Sequence, residues 1–511
     1  MCARERGWST VDEPVKRPSV NPLDKLSRLT RRGGAIRLTR LSDRQFTAVS
    51  AGLGLVLAAG VVLAAGPWDS GQRKAELDRA VAASRTGGAD HGSAVESGPE
   101  PAPSAPPVLA ALTATVDNAA PGSRTAPDGA ADALRTVLGP LLKDPALGTR
   151  PAAVVIDTAS GELLYAKGAG TPMTPASTVK IATTVAALSA LGPEHRIATT
   201  VRATADHRTL TLVGGGDPTL DRAALRALAT TTARALKDNG VTRARLTYDT
   251  SRYSGPARHP IGPNENIAPL SALMTDEGRL DKSDSGPAPR TDDPAGDTAR
   301  AFARLLHDAG ITTAPAPKPG RAPAASRQLA EHRSAPLSAL VERALTNSDN
   351  DIAEALARQT ALAAGEPADF AGSRRAVTDR LKKLRLPLTG AVLADGSGLN
   401  REDKVTAGLL AGLLARAADP DHPELRPVLT GLPVAGFSGT LSDRYTGKSR
   451  GTGLIRAKTG TLTGVNTLAG TVVDRRGRLL AFAFLASGTT SPADAQSALD
   501  ELATALAAGA H

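Results

Sequence analysis

The sequence predicts an α+β fold for residues 131–511, with strands from both ends of this region and helices between them. Two apolar runs near its start, at 151–157 and 163–167, flank a turn and are typical of a hairpin. Three further runs near its end have the composition of strands, at 454–458, 467–474 and 479–486. Hydrophobic residues make up 41% of the chain and charged residues 22%, so a sizeable core is expected.

The segments between these strands are predominantly helical. The region 197–213 holds two strand candidates, and 246–249 holds a third. Apolar spacing and helix-end signals predict helices at 131–142, 222–237, 298–309, 337–346 and 350–364. Proline and charged residues predict loops at 280–294 and 315–334.

The N-terminal segment predicts a membrane anchor. Residues 46–66 contain no charged side chain, and about 20 apolar residues are enough for a helix to cross a bilayer. The basic tail at 1–45 should stay in the cytoplasm, which places the rest of the chain outside the cell. Cleavage near Gly66 is the alternative, and it would release a secreted protein. Residues 67–130, rich in Ala, Pro, Gly and Ser, are interpreted as a disordered linker.

Charge and composition exclude several classes of function. Residues 1–45 carry a surplus of six positive charges out of the net +10, so the folded region has no strongly basic face and no nucleic-acid partner is expected. The single Cys2 excludes a disulfide framework and a four-cysteine zinc site. The eight histidines show no paired ligand spacing, and His207, His259, His307 and His332 are expected in polar surroundings. Neither a metal nor a cofactor is predicted.

Three short motifs carry the predicted chemistry: Ser177-x-x-Lys180, Ser348-Asp349-Asn350 and Lys458-Thr459-Gly460. In this order they are the signature of penicillin-binding proteins and serine β-lactamases. Each motif alone is weak, since S-x-x-K occurs by chance, SDN often caps a helix and KTG can form a turn. Their order, together with a buried helix that begins near Ser177, favours the catalytic interpretation.

Each motif residue has a predicted role. Ser177 is the nucleophile, and Lys180, on the same face of the helix, is its base if its pKa is lowered by burial or by a neighbouring cation. Lys458 could be that cation. Ser348 would relay a proton to the leaving amine, and Asn350 would hold the substrate amide.

The remaining predicted site residues bind the substrate. Thr459, Gly460 and Thr461 form this part of the site, with Lys458 and Thr459 on a terminal carboxylate. The backbone N–H groups of Ser177 and Thr461 would form an oxyanion hole.

Further segments resemble a known family. From about 131 to 503 the chain resembles the D-alanyl-D-alanine carboxypeptidase/endopeptidases of the penicillin-binding protein 4 type, which are low-molecular-mass class C penicillin-binding proteins. Besides the trio, the resemblance rests on Thr174-Pro-Ala-Ser-Thr-Val-Lys180, Gly215-Gly-Asp-Pro-Thr-Leu220, Asp249-Thr-Ser-Arg-Tyr-Ser-Gly-Pro256, Asp395-Gly-Ser-Gly-Leu399 and Gly436-Phe-Ser-Gly-Thr-Leu441.

The resemblance implies a DD-peptidase/serine β-lactamase-like fold, an antiparallel sheet flanked by helices. It implies that peptidoglycan stem peptides ending in D-Ala-D-Ala are the substrate and that β-lactams acylate Ser177.

An inserted region is also implied, here at roughly 200–295 and shortened, because Ser348 follows Ser177 by only 171 positions. The family uses this insert to recognise the amino group of the stem peptide. Glu265 or Asp276 could contact that group, and the alternative is that both are solvated loop acids.

Two other functions compete with a DD-peptidase. A serine β-lactamase needs an activated water, which one class obtains from a glutamate, but no Glu-x-x-x-Asn segment lies between the second and third motifs. A catalytically silent scaffold that binds the cell wall has no need for nucleophile, base and relay together. The sequence leaves open the balance between carboxypeptidase, endopeptidase and transpeptidase action.

Overall fold

The computed structural model describes residues 130–447 and 449–509 of the chain. The predicted tail at 1–45, the anchor at 46–66 and the linker up to residue 129 lie outside the described residues. Within the described part, no helix is both long enough and apolar enough to span a membrane.

Strands and helices alternate in long blocks along the chain. The strands are β1 (Ala152–Asp157), β2 (Leu163–Lys167), β3 (Ala198–Ala203), β4 (Thr209–Val213), β5 (Arg243–Asp249), β6 (Thr312–Thr313), β7 (Lys318–Pro319), β8 (Arg327–Arg333), β9 (Ile455–Leu462), β10 (Val465–Val473) and β11 (Leu479–Ser487). The helices are α1 (Ala130–Leu141), α2 (Lys180–Leu191), α3 (Arg222–Asp238), α4 (Pro294–Asp308), α5 (Leu337–Thr346), α6 (Asn350–Ala363), α7 (Phe370–Lys383), α8 (Ala407–Ala418), α9 (Pro427–Thr430) and α10 (Pro492–Ala508).

The main sheet has five antiparallel strands in the order β2-β1-β11-β10-β9. The prediction of an antiparallel sheet built from both ends of the chain is therefore confirmed. Its central strands, β1, β11 and β10, are buried along almost their whole length because helices cover both faces. Val154 packs in one core with residues of α2 and α8, whereas the neighbouring Val155 packs in another with residues of α1 and α10.

Residues 198–333 form a second sheet with its own core, which extends beyond the predicted insert at roughly 200–295. Its strand order is β6-β5-β4-β3-β8, with β7 paired to β5, and α3 and α4 supply much of the apolar core beside it. The prediction that 315–334 is a loop is wrong, because β8 pairs there with β3 in the register Ala198↔Arg333. Only Ala330 of β8 is buried, so this edge strand shows no alternation of apolar residues in the sequence.

Strand β9 differs from its prediction in a way that matters for the site. It runs on to Leu462, so that Lys458, Thr459 and Gly460 lie inside the strand and not at its end. The alternation of Thr459 and Thr461 with buried residues is too polar to show this extension in the sequence. The predicted loop at 280–294 is confirmed up to residue 293, and α4 begins at Pro294.

Candidate active site

A short 3-10 turn, Ala176–Val179, leads directly into α2 and places Ser177 one turn before Lys180. Ala176 has the left-handed φ of 48°, a conformation that non-glycine residues adopt mainly where the surroundings enforce it. Two glycines, Gly460 and Gly398, pack closely against this turn and hold Ala176 in that conformation. A Cβ on Gly460 would lie 2.7 Å from the Pro175 carbonyl oxygen, and one on Gly398 would lie 2.0 Å from that of Ala176.

Lys180 is the centre of the site. Its side chain is completely buried, and Nζ donates to Ser177 Oγ at 3.0 Å, to Asn350 Oδ1 at 2.7 Å and to the Ser397 carbonyl oxygen at 2.6 Å. The structure therefore brings together Ser177, Lys180 and Asn350, three of the residues that the sequence predicts in the site. Once neutral, an amine held at this distance can accept the hydroxyl proton.

Burial lowers the pKa of Lys180 to about 8, while the carboxylates of Asp395 and Asp349 act in the opposite direction. Of the two causes that the sequence suggests, burial and a neighbouring cation, burial is therefore the main one. Burial and the nearby charge of Lys180 also lower the pKa of Lys458 well below its ordinary value. Carboxylates from distant parts of the chain surround Lys180, and a motif does not reveal them.

The second motif lies between the two lysines. Ser348 has a left-handed φ of 59°, and its Oγ accepts a hydrogen bond of 2.9 Å from Lys458 Nζ. Asp349 caps α6, accepting at 3.0 Å from the N–H of Ile352. Asn350 Nδ2 donates at 2.9 Å to the carbonyl oxygen of Asn266. The second Nδ2 hydrogen is left for a substrate carbonyl, in keeping with the predicted role of Asn350.

The third motif lies on β9, at the edge of the five-stranded sheet. Lys458 is fully buried and also donates to the Thr459 carbonyl oxygen at 2.9 Å. Thr459 Oγ1 donates to Thr440 Oγ1 at 2.8 Å. Sequence reasoning gave Thr440 no role, although its segment was part of the family resemblance. An edge strand with an open side can hold an extended peptide by main-chain hydrogen bonds.

A buried polar network lies behind Lys180. Asp395 accepts hydrogen bonds from the N–H groups of Ser397 and Gly398, at 3.0 and 2.6 Å, which fixes the loop whose carbonyl receives the lysine. Burial alone would raise the pKa of Asp395, but hydrogen bonds from His259 and from backbone groups lower it to about 2. Burial and the Asp395 charge raise the pKa of Asp403 to about 10, so its protonated carboxyl can donate to Asp395.

His259 lies in polar surroundings, as predicted, but these surroundings are buried and come from a distant part of the chain. Its ring is buried, with Nε2 2.9 Å from Asp395 Oδ2 and its edge against Phe370. The sequence neighbours of His259 are polar, but its loop folds back onto the Asp395 segment, 136 positions away. Only this long-range contact makes the histidine part of the network behind the site.

Two buried clusters have the donor atoms of a metal site, with ligand atoms within 4.8 Å of one another: His259, Glu354 and Asp395, and Glu277, Asp349 and Asp351. Both clusters already hold arginine as the positive partner. Arg358 lies 3.2 Å from Glu354, and Arg290 lies 2.8 Å from Asp351.

The two loop acids proposed for substrate recognition occupy different environments. Glu265 is exposed to solvent. Asp276 is half-buried and lies 3.2 Å from the Arg222 guanidinium, which already balances its charge. Of the two, Glu265 is therefore the acid free to meet an ammonium group, since a charge-paired Asp276 would first have to leave Arg222.

Known proteins resemble this chain over most of its length. The family described as "D-Ala-D-Ala carboxypeptidase 3 (S13) family" matches residues 134–288 and 281–508. Carboxypeptidase Rv3627c of Mycobacterium tuberculosis is 37% identical over 428 residues, covering 80% of this chain and 89% of the relative. Carboxypeptidase DacB of Mycolicibacterium smegmatis is 37% identical over 426 residues, covering 80% and 90%.

A solved structure resembles the fold. The crystal structure of penicillin binding protein 4 (dacB) from Haemophilus influenzae aligns with a TM-score of 0.60 at 23% identity. The alignment covers 73% of this chain and 97% of that one. This likeness supports a DD-peptidase-like α+β architecture for the described part of the chain.

Proposed function

The chain belongs to the D-Ala-D-Ala carboxypeptidase 3 (S13) family, and on that premise we propose that Ser177 is its nucleophile and Lys180 its general base. The protein is a serine-type D-Ala-D-Ala carboxypeptidase of the penicillin-binding protein 4 type. The observation that supports these two roles is the 3.0 Å contact between Lys180 Nζ and Ser177 Oγ at a completely buried lysine.

Acylation begins when the neutral form of Lys180 removes the proton from Ser177 Oγ. The oxygen attacks the carbonyl carbon of the penultimate D-alanine, and the N–H groups of Ser177 and Thr461 stabilise the resulting oxyanion. Ser348 then relays a proton to the departing amine: its hydroxyl proton goes to the amine and is replaced by the one that Lys180 took from Ser177, so Lys180 is neutral again. Terminal D-alanine leaves. Water hydrolyses the remaining ester and releases the shortened stem peptide. Because a pKa of about 8 leaves a usable neutral fraction near neutral pH, Lys180 needs no further base.

The strand side of the site recognises the end of the substrate. Thr459, Gly460 and Thr461 lie on the edge strand, where an extended peptide can pair, and Lys458 and Thr459 receive the terminal carboxylate. A carboxylate beside Lys458 favours the protonated form of that lysine. Two neighbouring cations disfavour each other's charge, so a protonated Lys458 favours the neutral form of Lys180.

A β-lactam acylates the same serine, but the amine released by ring opening stays covalently attached to the acyl group and cannot diffuse away. We expect a long-lived acyl-enzyme, because the region between the second and third motifs has no Glu-x-x-x-Asn segment to activate a water. The β-lactamase alternative therefore predicts the opposite behaviour, rapid turnover of nitrocefin.

The test is time-resolved labelling of the full chain with a fluorescent penicillin, read on a denaturing gel. The wild type should give a stable band that Ser177→Ala abolishes, while Ser189→Ala, at the far end of the same helix, should leave it intact. Release of D-alanine from a D-Ala-D-Ala peptide should disappear with the band. Labelling of Ser177→Ala at the wild-type rate would refute the assignment, and rapid nitrocefin turnover would favour the β-lactamase.

Endopeptidase action, the cleavage of peptide cross-links, is the part of the activity that remains to be measured. The substrate-binding residues lie on an edge strand, β9, where a second peptide strand could pair with the backbone. Cross-linked stem-peptide dimers compared with pentapeptides would measure the endopeptidase share. Glu265→Ala should weaken binding of stem peptides with a free side-chain amine and leave unchanged the binding of analogues whose side-chain amine is acetylated. If the variant binds the free-amine peptides as tightly as the wild type does, the assignment is refuted.

The location that the sequence predicts fits this substrate, because peptidoglycan lies outside the cytoplasmic membrane. An anchor at 46–66 with its basic flank inside would leave residues 131–511 facing the cell wall. Protease added to intact spheroplasts should digest the folded part and leave the tail at 1–45. Protection of the whole chain would reverse the topology, and a fully soluble product starting near residue 67 would show cleavage.

A further inference from the structure

The loop that connects β5 to α4 lies directly on the second motif. Within it, the Asn266 carbonyl oxygen receives the Asn350 Nδ2 hydrogen bond at 2.9 Å. Two residues further on, the N–H of Ala268 donates to Asp351 Oδ1 at 3.0 Å. At the other end of the loop, Arg290 Nη1 donates to Asp351 Oδ2 at 2.8 Å. Both oxygens of one carboxylate, next in sequence to Asn350, therefore bind the loop.

This contact is buried from both sides. Asp351 is 2% exposed, and the side chain of Arg290 is 5% exposed. Arg290 also donates to the Glu277 carbonyl oxygen, so one guanidinium joins two turns of the loop to helix α6. The surrounding cluster is balanced in formal charge, with the acids Glu277, Asp349 and Asp351 and the arginines Arg279, Arg290 and Arg343. A buried ionic group of this kind is strongly weakened when one partner is removed.

The Asn266 carbonyl decides how the Asn350 amide is oriented. The Oδ1 of Asn350 accepts from the Lys180 ammonium, and Nδ2 must face an acceptor on the opposite side. If the loop moves away, the amide loses that acceptor and can rotate. Lys180 then loses one of its three hydrogen-bond acceptors, and water can take the place of Asn350 Oδ1. Because the pKa of Lys180 depends first on its burial, this hydration raises it.

We propose that Asp351 is a positioning residue, which together with Arg290 clamps the loop around 266–290 onto the second motif and so keeps Asn350 oriented and Lys180 dehydrated for acylation. This inference rests on the proposed roles of Ser177 and Lys180. A second buried contact from the same loop, His259 to Asp395, is independent of the clamp. Loss of the clamp should therefore loosen the loop locally and leave it attached to the domain.

The test measures the second-order acylation rate by fluorescent penicillin against pH for the wild type, Asp351→Asn and Arg290→Lys. Both variants should acylate about tenfold more slowly near neutral pH, the size of effect expected for coupled contacts. The acidic limb of the profile should move upward by about one pH unit, because hydration of Lys180 returns its pKa toward the ordinary value.

The acidic limb of the pH profile measures the pKa of Lys180, and both variants keep the charged groups that surround this lysine. Lys180 faces Asp349, Glu354, Asp395 and Asp403 and influences Lys458 across the site, and neither variant alters any of them. Burial also raises the pKa of Asp351 to about 7. Asp351→Asn removes this titrating carboxylate, whereas Arg290→Lys keeps it. A limb that moves in both variants therefore comes from loosening of the loop and not from titration of Asp351.

The matched control is Arg258→Gln. Arg258 lies on the same loop and forms an ion pair of 2.9 Å with Asp292, but both side chains are more than half exposed. Its acylation rate and pH profile should equal those of the wild type. Hydrogen exchange of the peptide that contains Ala268 should be faster in the two clamp variants and unchanged in this control.

The outcomes separate the clamp from the function on which it rests. Folded clamp variants with the wild-type rate, limb and exchange would overturn the inference. If Asp351→Asn does not fold, Arg290→Lys decides by the same readouts. A general loss of stability would lower the amount of active protein without moving the limb, and that result also counts against the clamp. Labelling that persists in Ser177→Ala would instead reject the proposed nucleophile.

Discussion

The site has a helix side, formed by the start of α2, and a strand side, formed by β9. Each side contains a fully buried lysine, but the two lysines have different neighbours. Lys180, at the start of α2, has Asp395, Asp349, Glu354 and Asp403 around it. Lys458, on β9, contacts the Ser348 hydroxyl and a backbone carbonyl, and no carboxylate influences its pKa.

The difference shows that burial alone does not set the function of a lysine. Burial lowers the pKa of both side chains, but only on the helix side do carboxylates hold the value near 8. Lys180 can therefore exchange a proton near neutral pH. On the strand side no carboxylate opposes the lowering of the Lys458 pKa, so an incoming substrate carboxylate would be the anion that favours its charged form. This suits a residue that recognises the end of a substrate.

Replacing each lysine with arginine should have the largest effect on acylation and should affect the two sides of the site unequally. An arginine at position 180 stays protonated and cannot act as a base, so Lys180→Arg should slow acylation by about a thousandfold. Lys458→Arg keeps a cation for the carboxylate and should lose about tenfold. The measurement is the acylation rate with fluorescent penicillin, after urea unfolding has shown that both variants fold. Equal losses would mean that the two lysines share one role.

The burial of Lys180 should also be visible in stability. Its pKa falls from 10.5 unfolded to about 8 folded, so the unfolded state binds the extra proton between these values and wild-type stability rises with pH in that window. The free energy of unfolding of Lys180→Met minus that of the wild type should therefore fall by roughly 3 kcal/mol from about pH 7 to about pH 11.

The control for this experiment is Lys382→Met, since Lys382 is 63% exposed on α7. Its difference from the wild type should stay constant over the same range, measured by urea unfolding at each pH. A constant difference for Lys180→Met as well would show that Lys180 is hydrated in the folded protein.

The contact between the two sides should depend on Gly460. A Cβ at this position would lie 2.2 Å from Thr467 Oγ1 and 2.7 Å from the Pro175 carbonyl oxygen, which forces β9 away from the turn that carries Ser177. Gly460→Ala should lose about 2 kcal/mol of stability and acylate about tenfold more slowly. Gly139→Ala in α1, where the new Cβ meets nothing within 4 Å, should be neutral or slightly stabilising. An unimpaired Gly460→Ala would mean that the two sides are not rigidly apposed.

The smallest effect concerns the segment between the lysines. Asp349→Ala removes the cap of α6 and Asp369→Ala the equivalent cap of α7, each at about 1 kcal/mol. Only Asp349→Ala should also slow acylation, because Asp349 lies between Ser348 and Asn350 and influences Lys180. Thermal unfolding and the labelling rate, measured on both variants, test this. Equal labelling rates would make the cap purely structural.

Local patterns were sufficient for much of the fold and for the members of the site. Hairpin and strand runs predicted the five-stranded sheet, and apolar spacing predicted α1 and α3 to within one residue at each end. The trio predicted the residues that meet around Lys180 and Lys458. Patterns failed at β8, whose single buried residue leaves no alternation, and at the extension of β9, whose partly exposed threonines give no apolar signal.

The residue types and their spacing along the chain are enough to identify which side chains could carry the chemistry, because nucleophile, base and relay each need a particular side chain. The protonation and solvation of those groups depend on how the chain folds around them. The Ser397 carbonyl that receives Lys180 is 217 positions away, and any residue type could supply a backbone carbonyl. The burial of His259 against Asp395 and the cause of the Lys180 pKa likewise come from long-range packing. Solvation and charge are properties of the assembled surroundings, so a motif cannot encode them alone.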